Sequence, residues 1–176
     1  MKIKGERIYL RSLTKEDSGR IAKYGNNRKI WKNLTNVFPS PYTKQKALKR
    51  IKKIKNKKDL ISLGVIYQEE LVGEVIASFR EDVDSKKVFI ACWIGEPYWD
   101  LDLESEAIGI FSKFLLKNFP IKKVQARVFS WDIVSMKALK KNGFKLEGTI
   151  RSGIYKNGKY CDEQIYGVFK KELNQN

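Results

Sequence analysis

The chain has no histidine among its 176 residues and only two cysteines, Cys92 and Cys161. Without histidine, a Ser-His triad and a histidine general base are excluded, and a zinc site lacks its commonest nitrogen ligand. The two cysteines form no CxxC pair and lie in apolar, strand-like stretches, which indicates buried, reduced thiols. We therefore expect no metal, and any acid or base must be Glu, Asp, Tyr, Ser, Cys, Lys, a terminal amine or water.

Long apolar runs are also missing. No run approaches the ~18 residues that a membrane-spanning helix needs, and residues 1–7 lack the apolar core of a signal peptide. These absences predict a cytoplasmic protein with no membrane partner. A hydrophobic content of 42% with 12% aromatics is typical of a globular chain, and the length suits a single domain over residues 1–176.

Arginine is scarce although the net charge is +16. Only eight of the 36 basic residues are arginine, whereas proteins that read nucleic acids favour arginine for its bidentate contacts. A nucleic-acid partner is therefore the less favoured prediction, although the basic stretch Lys44–Lys58 keeps it open. The overall charge favours anionic ligands and acidic partners, and it repels polycationic substrates.

Hydrophobic periodicity predicts strands and helices along the whole chain. Strands are predicted at residues 7–13, 60–67, 71–79, 87–94, 124–130, 144–149, 150–155 and 164–169, and helices at residues 14–26, 44–57, 104–118 and 133–141. Thr14 and Thr43 are suitable N-caps, and Asn142-Gly143 is a suitable C-terminal cap. This order indicates the α/β (α+β) class, with a mixed, mostly antiparallel central sheet flanked by helices.

Five segments carry a further signal because of their residues, order and spacing. They are Glu6–Leu13, Asn26–Trp31, Trp93–Trp99, Ser135–Gly148 and Tyr155–Tyr160. Together they resemble the GNAT acyltransferase superfamily and, within it, the branch that acetylates the N-terminal amines of ribosomal proteins. The resemblance implies a GNAT fold with a splay at the central strand, acetyl-CoA as co-substrate, and direct attack of an amine on the thioester. The acceptor would be a protein N-terminus, such as that of a ribosomal protein, or a small amine, and we expect a monomer or homodimer.

The resemblance also implies candidate residues for binding the coenzyme. The edge of the central strand at Cys92, Trp93 and Ile94 would pair with the pantetheine arm, much as a peptide adds to a sheet edge. The family's Asn-x-x-Ser element falls at Asp132-Ile-Val-Ser135. This match makes Ser135 the candidate proton donor to the leaving thiol. Asp132 would cap the following helix or contact the coenzyme.

The remaining candidates concern the acceptor, the base and a further coenzyme contact. Trp31 and Tyr155 lie in segments that resemble the acceptor side of the family's site, and Lys141 would contact the coenzyme. No general base stands out in the sequence. Glu74 and Glu96 are the acids nearest the predicted centre of the sheet, and a base acting through water is the alternative.

The loop after the central strand departs from the family pattern. Relatives in this branch carry a Tyr-Trp-Gly-x-Gly loop that binds the pyrophosphate, whereas this chain keeps Tyr98 and Trp99 but loses the glycines. The candidate coenzyme contacts in the loop are Asp100, Leu101, Asp102, Leu103, Glu104 and Ser105. A carboxylate about 4 Å from a phosphate costs roughly 1 kcal/mol in water and about 4 kcal/mol at an effective dielectric of about 20.

The acidic loop leaves alternatives open. The carboxylates can turn outward while the backbone still binds the pyrophosphate at the helix start, with Lys141 offsetting part of the repulsion. Otherwise the chain is a non-catalytic binding module that has lost coenzyme A. A third alternative is an RNA- or ribosome-associating protein that acts through Lys44–Lys58.

Overall fold

The computed structural model describes residues 2–173, which form an eight-stranded sheet flanked by helices. The strands are β1 (Lys2–Lys4), β2 (Ile8–Ser12), β3 (Leu60–Tyr67), β4 (Glu70–Phe79), β5 (Lys87–Ile94), β6 (Lys123–Phe129), β7 (Lys145–Lys156) and β8 (Lys159–Phe169). The helices are α1 (Ser18–Gly25), α2 (Arg28–Trp31), α3 (Lys44–Lys55), α4 (Leu103–Asn118), α5 (Ile133–Lys141) and α6 (Lys170–Leu173). The predicted fold class is therefore confirmed. Within residues 2–173, no helix combines the length and apolarity that crossing a bilayer requires.

The sheet has the strand order β1-β2-β3-β4-β5-β6-β8-β7. Its neighbours are antiparallel except β5 and β6, which pair in parallel from Lys87↔Lys123 to Ile90↔Ala126. Beyond that point, within residues 2–173, residues 91–94 pair only with β4 and residues 127–129 pair only with β8. The two strands thus diverge in the middle of the sheet, which is the splay that the family resemblance implies.

Both faces of the sheet are covered, so the splay lies between two apolar layers. On one face α4 buries Leu103, Phe111 and Leu115, none of which is measurably exposed. On the other face α1 and α3 pack with Trp93 of β5 in a second cluster. The apolar positions of α4 recur at helical spacing, and the stripe that they form explains why this helix lies flat on the sheet.

The hairpin β7–β8 differs from the prediction. The two strands predicted at 144–149 and 150–155 are one strand, β7, with an irregular register between Ile150 and Ile154. Ser152 there has a φ of 51°, and its N–H donates to Oδ1 of Asp162 at 2.8 Å. A bulge of this kind breaks the side-chain alternation without ending the strand. The elements β1 and α2 escape prediction because three or four residues are too few to show a period.

Candidate active site

A cavity of about 260 Å³ fills the splay between β5 and β6. Ile90 and Ala126, the last residues that pair across the two strands, lie on its wall. Residues 91–94 of β5 and 127–128 of β6 form two sides, and the start of α5 at residues 132–135 closes a third. The fold therefore brings an unpaired strand edge and a helix start to one place.

The predicted coenzyme edge, Cys92, Trp93 and Ile94, lies on this wall. These residues pair with β4 on one side and, within residues 2–173, with no strand on the other. Alternate peptide groups of an antiparallel strand face away from the partner, so this segment offers unpaired N–H and C=O groups to the cavity. Trp99 occupies one acceptor of this edge, since its Nε1 donates to the carbonyl oxygen of Ile94 at 2.8 Å. Burial raises the pKa of the Cys92 thiol well above its usual range.

Ser135 lies in the first turn of α5, which Asp132 caps. Oδ1 of Asp132 accepts the backbone N–H of Ser135 at 3.3 Å, the usual bond of an N-cap. The hydroxyl of Ser135 donates to Oε1 of Glu104 at 2.8 Å. Burial raises the pKa of Asp132, and its hydrogen bonds with Ser135 oppose that rise. Ser135 thus lies on the cavity wall with a carboxyl group as its partner.

Four of the six loop residues predicted to contact the coenzyme turn their side chains elsewhere. Asp100 and Leu101 lie at the end of a 3-10 turn, Glu96–Leu101, and outside the cavity wall. Leu103, the first residue of α4, is buried in the core beneath that helix. Ser105 is also buried, and its carbonyl oxygen accepts a hydrogen bond from Asn142 at 2.8 Å. The side chains of Asp100 and Leu101 are thus exposed outside the two cavities, whereas those of Leu103 and Ser105 are buried.

Asp102 and Glu104 face a second cavity, of about 180 Å³, that extends from the loop to the second half of α5. Asp102 has a φ of 54°, a left-handed conformation that aspartate tolerates better than most residues. Its carboxylate lies 2.5 Å from Nζ of Lys141, and Lys137 adds a second cation to the same wall. Two lysines and the N-terminal end of α4 therefore offset part of the negative charge of the loop.

Glu104 lies on the walls of both cavities. Within residues 2–173 its carboxyl group has one hydrogen-bond partner, Ser135, and no ion-pair partner. Burial, together with the nearby carboxyl groups of Asp132 and Asp102, raises the pKa of Glu104 to about 7, and the hydrogen bond from Ser135 opposes part of that rise. This carboxyl group is therefore about half ionised near neutral pH.

Glu74, one of the two predicted bases, lies outside both cavities. It projects from β4 toward α3 and is fully buried. Its carboxylate accepts two hydrogen bonds from Arg50 at 2.6 and 2.8 Å, one from Nε1 of Trp93 at 3.2 Å and one from Ser62. A carboxylate with this many donors and an arginine in contact is poorly suited to take a proton from an amine.

Glu96, the other predicted base, follows β5 in the 3-10 turn and also lies outside both cavities. Lys29 and Asn27 donate hydrogen bonds to its two oxygens, and these bonds lower the pKa of Glu96. The structure therefore brings neither base candidate to Ser135, because one carboxylate is held in the core and the other is held at the surface.

The predicted acceptor residues, Trp31 and Tyr155, lie beside the first cavity rather than on its wall. The segment after Trp31 supplies Asn33 and Leu34 to that wall. Lys156 holds this segment in place, since its Nζ lies 3.9 Å from the ring centroid of Trp31 and donates to the carbonyl oxygen of Leu34. Burial lowers the pKa of Lys156. Tyr155 is 62% exposed.

Sequence reasoning missed the partnership of Glu104 with Ser135 and the cations of the cavity wall. The sequence marks Glu104 only as an acid in a phosphate-binding loop, and no local pattern reports a contact between two helix starts 31 positions apart. Lys29, Lys32 and Arg127 also lie on the wall of the first cavity. Across residues 2–173 there is no cluster of three or more metal-ligating side chains.

Comparison with known proteins identifies the family. Residues 10–165 match the family model of the acetyltransferase (GNAT) domain, and the chain therefore belongs to the GNAT acetyltransferases. It is 25% identical to the SPbeta prophage-derived uncharacterized N-acetyltransferase YokL of Bacillus subtilis, over 98% of this chain and 95% of that protein.

Two solved structures share the fold at low sequence identity. RimJ of Mycobacterium smegmatis, in complex with CoA-disulfide, superposes with a TM-score of 0.90 at 12% identity and covers 100% of this chain and 90% of its own. RimL, described as a ribosomal L7/L12 alpha-N-protein acetyltransferase and solved with coenzyme A, gives a TM-score of 0.84 at 17% identity over 96% of this chain and 98% of its own.

Proposed function

We propose that this acetyltransferase moves the acetyl group of acetyl-CoA to a primary amine by direct attack of the amine on the thioester. The observation that carries the proposal is the meeting of an unpaired strand edge and the start of α5 at one cavity. The pantetheine arm is peptide-like and extended, so it suits the edge at residues 92–94. Ser135, on the same wall, would protonate the departing thiolate.

The second cavity is the proposed place for the pyrophosphate. The first turn of α4 offers backbone N–H groups, which bind phosphate oxygens well, and Lys137 and Lys141 lie across from them. Asp102 and Glu104 oppose an anion there. The proposal therefore requires that both acids be neutralised or turned aside, Asp102 through its pair with Lys141 and Glu104 through protonation.

The attacking amine must also lose a proton. Glu104 and Asp132 are the carboxyl groups on the wall of the first cavity among residues 2–173, but Asp132 caps α5 and Glu104 binds Ser135. We therefore assign the proton to water. An unassisted amine must arrive neutral, which favours an α-amine with a pKa of about 8 over a lysine side chain with a pKa of about 10.4.

These considerations favour a protein or peptide N-terminus as the acceptor. Lys32 and Arg127 place positive charge on the cavity wall, so residues that follow the amine should be acidic or neutral rather than basic. The fold is shared with the ribosomal-protein acetyltransferase RimL, and this similarity is consistent with a protein acceptor.

A transfer assay with acetyl-CoA and synthetic peptides tests the proposal. One peptide has a free α-amine followed by acidic residues, a second has lysines in their place, and a third has a blocked α-amine and an internal lysine. We expect mass spectrometry to detect one acetyl group on the first peptide and much slower transfer to the other two. Ser135→Ala should lower kcat by about 10²-fold or more, whereas Ser85→Ala, in an exposed turn, should leave kcat unchanged.

Two results would contradict parts of the proposal. If neither acetyl-CoA nor coenzyme A binds at millimolar concentration, the chain is better described as a binding module with the fold of a transferase. If Ser135→Ala transfers acetyl groups at the unaltered rate, the reaction stands but Ser135 is not its acid.

A further inference from the structure

Glu104 occupies the junction of the two cavities. Four residues lie on both walls, namely Ile94, Trp99, Glu104 and Val134, and Glu104 is the charged member of this set. At about 260 and 180 Å³, each cavity is smaller than the ~300–1,000 Å³ typical of sites for drug-sized ligands. A molecule as long as coenzyme A must therefore extend through both cavities and pass the carboxyl group of Glu104.

We propose that Glu104 couples coenzyme binding to proton uptake, so that coenzyme A passes between the two cavities only when this carboxyl group is neutral. The inference rests on the proposed use of acetyl-CoA. On binding, the ionised carboxylate takes one proton from solvent, and no other covalent bond forms or breaks. The neutral group can then leave its bond with Ser135, which frees the hydroxyl of Ser135 for the thiol.

The surroundings of Glu104 explain why its ionised form is unfavourable beside a pyrophosphate. On the α5 side, the titratable and charged groups around it are Asp132, which caps α5, and Lys137 and Lys141 of α5. Its own segment contributes Asp102, and β5 contributes Cys92. Lys29, Lys32 and Arg127 share the wall of the first cavity with it. Asp102 and Asp132 repel a negative charge on Glu104. Lys29, Arg127 and Lys141 are already paired with Glu96, Glu163 and Asp102. Within residues 2–173, Lys32 and Lys137 are the cations of the two walls that have no ion-pair partner. A bound pyrophosphate would add further negative charge and favour the protonated carboxyl group still more.

The sign of the pH dependence follows from the pKa of Glu104, about 7 in the free protein. Well below this pH the carboxyl group is already neutral, and binding takes up no proton through it. Above it, binding requires protonation, and the affinity for coenzyme A should fall by up to about tenfold for each pH unit. Coenzyme A has phosphates that titrate too, so the comparison must be made against a variant that lacks only this carboxyl group.

Calorimetric titration with coenzyme A, from about pH 6 to about pH 9, tests the inference. Glu104→Gln keeps the shape of a neutral carboxyl group, and Glu81→Gln removes an exposed acid from the turn between β4 and β5 as a control. We expect the affinity of the unaltered protein to fall relative to Glu104→Gln by about tenfold between about pH 7.5 and about pH 8.5. Titrations in buffers of different ionisation enthalpy should show uptake of about one extra proton, and Glu81→Gln should behave as the unaltered protein does.

The outcomes separate this inference from the proposed function. Parallel affinity profiles for the unaltered protein and Glu104→Gln would overturn the inference and leave acetyl-CoA as the co-substrate. Glu104→Ala, which also removes the bulk of the side chain, serves as a further variant, and circular dichroism confirms the fold of each one. If none of these proteins binds coenzyme A at millimolar concentration at any pH, both the coenzyme assignment and the inference are overturned.

Discussion

Replacing Glu74 with glutamine removes a negative charge from a fully buried site at which four hydrogen bonds converge. The Arg50 side chain is only 21% exposed, so its charge would be left largely desolvated and without a partner. Breaking a buried ion pair in this way costs about 3–5 kcal/mol, and the remaining amide oxygen places the expected cost at about 3 kcal/mol. In a domain of this size each kcal/mol lowers Tm by about 2–4 °C, so Tm should fall by about 6–12 °C.

A matched control exists on the surface of the same sheet. Glu70 pairs with Arg20, and the two side chains are 45% and 38% exposed. Exposed pairs contribute about 0–1 kcal/mol, so Glu70→Gln should shift Tm by less than about 4 °C. Thermal unfolding followed by circular dichroism, with both variants at the same pH, measures the difference. Equal shifts in the two variants would refute the reasoning from burial.

The same variant distinguishes structure from catalysis. At a temperature at which Glu74→Gln is fully folded, kcat should stay within about threefold of the unaltered value, whereas loss of a general base costs about 10²-fold or more. The double variant Glu74→Leu with Arg50→Met should recover most of the lost stability, because apolar residues of similar volume often replace a buried ion pair without loss. A folded Glu74→Gln protein with a hundredfold lower kcat would restore Glu74 as the base.

Two further predictions concern the acidic loop and the basic helix. Asp102→Gly should strengthen coenzyme A binding by about fivefold or more, since one carboxylate opposes an adjacent phosphate by roughly 1–4 kcal/mol. Calorimetry at two salt concentrations measures this, and an unchanged Kd would mean that the carboxylate points away from the ligand. On α3 the triple charge reversal Lys49→Glu, Lys52→Glu and Lys53→Glu tests association with RNA. If the protein binds RNA through this helix, binding should depend steeply on salt and be lost in the variant. A gel-shift assay that detects no binding by the unaltered protein near physiological salt eliminates this alternative.

The sequence predicts the long, regular elements of the fold well and the short or irregular ones poorly. The strand β5 and the helix α5 begin and end where their apolar pattern and caps indicate, because each buries a face large enough to require a period. The bulge at Ser152 depends on a bond to Asp162 in the neighbouring strand, and no pattern within β7 reports that bond.

The candidate site likewise has some features that the sequence predicts and others that it does not. The strand edge at residues 92–94 and Ser135 follow from motifs and reach one cavity. The environments of Glu74 and Glu104 depend on contacts between residues distant in sequence, so the sequence describes them only as acids near the centre of the sheet or in the loop. Glu74 is held in a buried ion pair with Arg50, and burial raises the pKa of Glu104 to about 7.

The unpaired edge of β5 also bears on aggregation. An open strand edge is a template on which another chain can add a strand, and repeated addition leads to fibrils. Here the open edge covers only residues 91–94 and lies inside a wedge between β5 and β6. The indole of Trp99 occupies the carbonyl oxygen of Ile94 at the outer end of that edge. An added strand would find only four residues to pair with there, so the opening that serves the chemistry is a short template for self-association.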